Sequence, residues 1–487
     1  MTNTPNQTAR HVEVAIIGTG TSGMGAYREV RKTTNSIALI EGGEYGTTCA
    51  RVGCMPSKLL IAPAELRHNT EKFGQFGLQG DVPSVDGKAV MARVRFERDR
   101  FVGFVNEDID DFDQSHLVKA YASFVDDHTL KLSTGEVITA DRIIISTGSR
   151  PNIPAFFEQA GDRLITNDDV FSWDDLPKSV AVFGAGVIGL ELGQALHRLG
   201  VKTHLFGVGD AVGPLSDPEL IASSLAIFKD EFPFHSNGQV KSIKRRDKGV
   251  DITFKSDPES EEVTETFDYL LAATGRTANI DNIGIENTSL TLDKRGVPVY
   301  DPMSMQCSGS HIFIAGDVNA DIPLLHEAAD EGRLAGENAM RFPEVFKRAR
   351  KTTLGVVFSD PQIATVGASY KMLSEKQGCD FAIGSVSFEG QGRSRVMLVN
   401  KGLLRIYGDK ETGVLLGAEM IGPHNEHLAH LLAWVIQMRM TVSEVLQMPF
   451  YHPVIEEGLR TALRDLLFSL GMGSHPPLGC IDCGPGA

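Results

Sequence analysis

The sequence predicts an α/β protein with two separate parallel-sheet units, each made of a strand, a glycine-rich turn, a helix and a second strand. Two observations predict it. Residues 12–17 (VEVAII) form a short buried-strand pattern. It is followed at once by Gly18, Gly20 and Gly23 in a G-x-G-x-x-G run, a helix-compatible stretch to residue 32, and a second strand pattern at 36–40 (SIALI). The same order returns at 179–183 (SVAVF), Gly184, Gly186 and Gly189, a helix to about residue 199, and a strand at 201–206 (VKTHLF). At 487 residues the chain exceeds one compact core, and roughly two to four domains are expected.

Each glycine has a physical reading in that context. The first permits the tight turn, the second lets backbone approach a pyrophosphate, and the third lets helix pack closely on strand. The helix N-terminus then faces the phosphates. In the first unit Glu41 ends the second strand and is placed to accept hydrogen bonds from a ribose. In the second unit that position is Gly207, and residues 208–214 (VGDAVGP) hold no basic residue for a 2′-phosphate. Asp210 is the acid at hand. One site is expected to hold a flavin and the other a nicotinamide, with NAD expected and NADP left open.

Composition narrows the class. Apolar residues make up 42% and charged residues 23% of the chain, as in ordinary globular proteins. A net charge of −16 argues against nucleic acid or an anionic membrane as partner. No apolar run is long enough to span a bilayer, and residues 1–11 are polar, unlike a signal peptide. A cytoplasmic location is expected, where the six cysteines form no structural framework and a reducible disulfide would be catalytic.

The run GTTCARVGCMPSK (residues 46–58) carries Cys49 and Cys54. On a regular helix such residues lie about 8.6 Å apart between Cα atoms, beyond the roughly 7 Å that a disulfide tolerates. A bridge requires a distorted turn, for which Gly53 gives the freedom. On spacing alone a working disulfide and a pair of ordinary thiols are equally compatible. Cys307 and Cys379 carry no motif and read as structural. Cys480 and Cys483, in a Gly/Pro-rich tail, suit an electron relay, a metal ion or incidental thiols.

The two glycine runs, the cysteine run, STGS (146–149), ATGR (273–276), IAGD (314–317) and HPVIEE (452–457) occur in order. Together they resemble the class I pyridine nucleotide–disulfide oxidoreductases, and within them the dihydrolipoamide dehydrogenases, over residues 12–470. The resemblance implies an FAD domain (1–155 and 285–350) split by an inserted NAD(P) domain (156–284). A dimerisation domain (351–475) of α+β type and the cysteine-bearing tail (476–487) follow. It implies FAD contacts from Gly18, Gly20, Gly23, Glu41, Thr48, Lys58, Thr147, Gly148 and Asp317. It implies NAD(P) contacts from Gly184, Gly186, Gly189, Glu191 and Gly275, and no metal site. By resemblance, Cys54 is the flavin-side thiol and Cys49 the interchange thiol. Lys58 pairs with Glu191 beside the flavin. His452, oriented by Glu457 and supplied by the partner subunit of a homodimer, serves Cys49 as acid and base.

Glu191 supports the pairing independently, since it lies in the apolar run VIGLEL (187–192), where an unpaired charge is costly. Small apolar Val187 and the lack of an arginine cluster beyond Arg28, Arg31 and Lys32 favour a lipoyl substrate over glutathione. The expected reaction is dihydrolipoamide plus NAD⁺ to lipoamide plus NADH. The alternative is NAD(P)H-dependent reduction of another disulfide or a metal ion, in the manner of glutathione or mercuric reductases, through Cys480 and Cys483.

In the C-terminal region, strands are expected at 385–388, 395–399, 402–407 and 413–421, with a helix from residue 426. A further helix is expected over 454–470, with Pro453 in its first turn and His452 on the loop before it. His424, His427 and His430 read as solvated or interface residues rather than a metal site.

Overall fold

The computed structural model describes residues 10–473, and every count given is of those residues. The cysteine tail lies outside them. Two compact units divide the described residues: 10–56, 94–152 and 275–350 in one, and 57–93, 153–274 and 351–473 in the other.

The first unit is organised by a nine-stranded sheet. Its centre is parallel, with Arg10–Ile17 between Ile37–Ile40 and Val137–Ile145, and Ile312–Ile314 beyond. Their carboxyl halves are apolar (VAII, IALI, III and IFI) and buried, as expected of strands covered on both faces. Ile17, Ile40, Ile145 and Ile314 end the four strands at one edge. That carboxyl edge is where ligands bind in open α/β sheets. Helix Thr21–Val30 packs on helix Leu325–Arg341 through small residues. A Cβ at Gly332 would sit 2.1 Å from the Ser22 carbonyl oxygen, so only glycine allows this approach.

The second unit holds two main sheets. One is parallel, in the order Phe234–His235, Lys202–Phe206, Ser179–Phe183, Tyr269–Ala272, Leu164–Ile165. A three-stranded antiparallel sheet, Gln239–Arg246, Gly249–Lys255 and Glu262–Phe267, accompanies it. The other main sheet is antiparallel: Leu354–Val357, Gln362–Gly367, Leu415–Gly422, Leu403–Asp409, Phe381–Ser387. Residues of helices Asn425–Gln437 and Glu457–Ser469 share its apolar core.

Arg276–Ala278 pairs antiparallel with Ser149–Pro151 within the first unit. Two details differ from the sequence reading. The strand expected at 395–399 is absent. Residues Gly392–Val396 form a helix, because the Gln391 side chain accepts from Ser394 N–H and the Ser394 hydroxyl donates to the Phe388 and Gln391 carbonyls. Such local bonds compete with a ladder. The last helix begins at Glu457 rather than 454, so Pro453 precedes it and Glu457 is its first residue.

One partly buried pair sets an acid limit on stability. His204 Nδ1 and His235 Nε2 lie 3.1 Å apart, with His235 packed by Phe206 and Phe254. Burial pushes both imidazoles down, His235 to about 4. In the unfolded chain a histidine protonates near 6.5. Between these values the unfolded state binds more protons, so stability falls as pH drops from 6.5 towards 4. The melting temperature of His235→Gln should fall less steeply than wild type between pH 7 and pH 5. Parallel curves would show that His235 does not carry the effect.

Candidate active site

The segment bearing Cys49 and Cys54 is a helix broken in two. Thr48–Val52 ends at Gly53, whose φ of −125° and ψ of −114° are not helical, and a new helix, Cys54–Thr70, begins. A Cβ at Gly53 would lie 3.1 Å from the Thr48 carbonyl oxygen and 3.3 Å from the Cys49 Cα. The chain therefore folds back over the preceding turn between the two cysteines, which a continuous helix would not do. Thr47, at φ 56°, starts the short helix, and its hydroxyl accepts from Ala50 N–H at 3.3 Å. Positive φ is rare for a β-branched residue, so the entry to the cysteine turn is a strained point. Cys49 is half-buried and Cys54 exposed. Cys54 is the first residue of a 17-residue helix, where the N-terminal dipole favours a thiolate. Thr48 opens the short helix, and Lys58 is one turn after Cys54.

In the second unit the structure brings Lys58 and Glu191 together. The Lys58 ammonium donates to both Glu191 carboxylate oxygens at 2.8 and 2.7 Å. Ser57 Oγ donates to the same carboxylate at 3.2 Å and Phe358 N–H at 3.0 Å. The Phe358 ring lies 4.4 Å from the ammonium. Glu191 is 5% exposed, and these donors are what make its charge tolerable there. Ser57 and Phe358 escaped the sequence reading; Phe358 lies 167 residues from Glu191, with no motif to link them.

The two glycine runs build the same cradle twice. A Cβ at Gly18 would sit 2.3 Å from the Ser146 carbonyl oxygen, and one at Gly184 2.2 Å from that of Ala273. A Cβ at Gly23 would meet the Gly18 oxygen at 1.9 Å, and one at Gly189 the Gly184 oxygen at 1.8 Å. Gly20 and Gly186 have nothing within 4 Å of that position. In each unit the first and third glycines are therefore forced by neighbouring backbone, and the middle one leaves backbone bare at the helix start. Ser146 Oγ is buried beside the first cradle with no hydrogen-bond partner. These features fit a dinucleotide.

Around the first cradle, Glu41 accepts from Thr19 N–H and Oγ1 at 3.0 Å each and from Gly43 N–H at 2.7 Å. A carboxylate has about four acceptor positions, so one stays open. Thr147 Oγ1 donates to the Asn279 carbonyl at 2.6 Å, and Gly148 turns the chain at φ 67°. Asp317 opens a 3₁₀ turn and accepts from Ser149 Oγ at 2.8 Å. Arg276 holds Ser149 through its hydroxyl and carbonyl, both at 2.7 Å. Glu331 fixes the turn from below, accepting from Gly316 N–H and Asn319 Nδ2. Ser149, Arg276 and Glu331 are supporting residues that sequence reasoning did not single out, although Ser149 and Arg276 lie inside its motifs.

Near the second cradle, Asp210 accepts from Ser236 Oγ at 2.5 Å and lines a cavity of about 380 Å³ with Lys229, His235, Ser236, Asn237 and Asp257. Lys229 reaches this cavity from helix Pro218–Glu231, outside residues 208–214. Gly275, at φ 97°, falls in the first unit, where its carbonyl accepts from Asn152 N–H at 2.9 Å.

His452 and Glu457 form the remaining group. His452 Nδ1 lies 2.9 and 3.1 Å from the Glu457 carboxylate oxygens, and Val454 N–H donates to the same carboxylate at 3.1 Å. Glu457 is buried and the His452 side chain 59% exposed. A buried carboxylate thus fixes one ring nitrogen and leaves Nε2 available for proton transfer. Glu456 takes no part in this contact. Among the described residues no group of three or more His, Cys, Asp or Glu is arranged to hold a metal, and His430 Nδ1 instead meets the Glu426 carbonyl. No described helix is long and apolar enough to cross a membrane.

Residues 12–332 match the family described as pyridine nucleotide-disulphide oxidoreductase, and residues 353–463 match the dimerisation domain of the same family. A dihydrolipoyl dehydrogenase of Haloferax volcanii is 30% identical over 484 residues, covering 96% of this chain and 98% of that one. A mercuric reductase of Streptomyces lividans is 28% identical, covering 91% and 93%. Among solved structures, the Cu(II) complex of the HOCl-induced flavoprotein disulfide reductase RclA from Escherichia coli aligns with a TM-score of 0.78 at 22% identity, covering 93% of this chain and 99% of that one.

Proposed function

Because this chain belongs to the pyridine nucleotide-disulphide oxidoreductases, a family of flavin- and nicotinamide-dependent enzymes, we propose that it oxidises dihydrolipoyl dithiols with NAD⁺, as a homodimer carrying FAD. The observation that carries this reading is the helix break at Gly53, which folds the Cys49 turn back towards Cys54 at the start of a long helix. The lipoyl substrate is supported by dihydrolipoyl dehydrogenase relatives that match over nearly the whole chain.

The residues divide the work. One thiol of the substrate attacks Cys49 of a Cys49–Cys54 disulfide while His452 Nε2 of a second copy takes its proton. Glu457 keeps the other ring nitrogen in place and favours the imidazolium that results. The second substrate thiol then displaces Cys49, which leaves with the proton that His452 took from the first thiol, while the second thiol's proton passes to His452 in its place. Cys54 is left as the flavin-side thiolate, favoured by its helix terminus. When bound, FAD supplies the two-electron link between that dithiol and the nicotinamide. Gly18, Gly20, Gly23, Glu41, Thr48, Thr147, Gly148 and Asp317 hold it, and Lys58, fixed by Glu191, supplies a cation beside it. Gly184, Gly186 and Gly189 hold the nicotinamide dinucleotide. Asp210 disfavours a 2′-phosphate, which supports NAD; Lys229 in the same cavity supports the NADP reading.

A second reading is reduction of another disulfide or of Hg²⁺, favoured by the mercuric reductase relative and by Cys480 and Cys483. Anaerobic turnover with dihydrolipoamide, oxidised glutathione and Hg²⁺, each with both nicotinamides, separates them. Dihydrolipoamide-dependent NADH formation should be fastest. Faster turnover of glutathione or mercury overturns the lipoyl assignment. Removing residues 476–487 without loss on any acceptor removes the relay.

A further inference from the structure

Glu191 does not stand alone on its helix. Val187–Arg198 also presents Gln194 and Arg198, three and seven residues on and therefore on the same face. Both are 4% exposed. Gln194 Nε2 donates to the Asp360 carbonyl at 2.7 Å and to Glu231 at 2.8 Å, and its Oε1 accepts from Asp360 N–H at 2.8 Å. Arg198 donates to the Asp360 carboxylate at 2.9 Å and to both Glu231 oxygens at 2.5 and 3.1 Å. Its own carbonyl accepts from Arg67, on the helix that carries Lys58. Asp360 stays below the usual carboxylate range despite its burial, because the Arg198 guanidinium sits beside it.

The grip on Asp360 matters because of what lies two residues earlier. Phe358 gives its N–H to Glu191 and its ring to the Lys58 ammonium. The side chain of Gln194 makes a two-way amide bridge to the backbone of Asp360, the end of that same short segment. A glutamine is the right length for this bridge, and its loss would leave a buried N–H and C=O without their partner.

We propose that Gln194, backed by Arg198, is a positioning residue for the Lys58–Glu191 pair: it clasps segment 358–360 so that Phe358 holds carboxylate and ammonium in one geometry. The proposal rests on the functional reading above, in which Lys58 is the fixed cation beside the flavin. It assigns a catalytic consequence to a contact one helical turn from Glu191.

Gln194→Met keeps the length of the side chain and removes every hydrogen bond. In the flavin-loaded enzyme kcat should fall about 3- to 10-fold, with KM for dithiol and nicotinamide within about twofold of wild type. The two-electron midpoint potential of the flavin, read from its visible spectrum, should fall too, because a loosened cation favours the reduced, anionic form less. In a Lys58→Met background, where no ammonium remains to be positioned, Gln194→Met should change neither. Equal losses in both backgrounds show a general structural role and overturn the proposal, as does an unchanged kcat and potential in the single variant. Phe358→Leu keeps the backbone donor and removes the ring over Lys58. It should lower kcat and potential in the same way, and unchanged values there overturn the proposal even if Gln194→Met fails to fold. Wild-type enzyme without dithiol turnover counts against the functional reading instead.

Discussion

Serine in place of Cys49 or of Cys54 should abolish dithiol-dependent nicotinamide reduction while the protein stays yellow. The loss should be at least about 10⁴-fold, the scale seen when a group forming a covalent intermediate is removed. Either sulfur alone is useless, because the exchange needs one to accept the substrate thiol and the other to be displaced. The double variant should therefore be no worse than either single one, as for residues that act as a unit. Flavin retention is expected because the forced glycines, Gly18 and Gly23, and the anchors of Glu41 and Asp317 are independent of the cysteine turn. Turnover of either variant within about tenfold of wild type would remove the disulfide from the mechanism.

His452→Gln should lower kcat by about 10²- to 10⁴-fold, the contribution of a positioned acid–base group. Glu457→Gln should give a smaller loss, since the amide retains a contact to the ring without the charge that favours imidazolium. A mixed dimer tests which subunit supplies the pair. When one subunit carries Cys49→Ser and the other His452→Gln, action across subunits leaves one complete site and about half of wild-type activity. Action within a subunit leaves both sites broken. Recovery of activity on mixing the two inactive homodimers supports the first, and persistent inactivity of verified mixed dimers rules it out.

Much of this was legible in the sequence because it depends on local backbone demands. A turn that places Gly18 against the end of a neighbouring strand, and Gly23 against Gly18, tolerates no Cβ, so its glycines stand at fixed spacing and announce themselves. The Gly53 break between two cysteines is equally local. The C-terminal region was read less well. The apolar run RVMLV at 395–399 reads as a strand, but Gln391 and Ser394 satisfy the nearby backbone first and close a helical turn. The pattern at 454–470 reads as helix throughout, but Val454 N–H is taken by the Glu457 carboxylate and the helix starts three residues later.

The sequence by itself determined two parallel-sheet units with paired glycine turns, a distorted turn at Gly53 between two cysteines, and that Glu191 needed a partner. Only the tertiary structure decided how that charge is kept. Lys58 comes from 133 residues away and Phe358 from 167, and Gln194 and Arg198 secure the segment that Phe358 belongs to. The same holds for Lys229 at the cavity beside Asp210. A motif records what the backbone must do within a few residues. A buried charge is satisfied by whatever donors the fold carries to it, and no spacing along the chain encodes that approach.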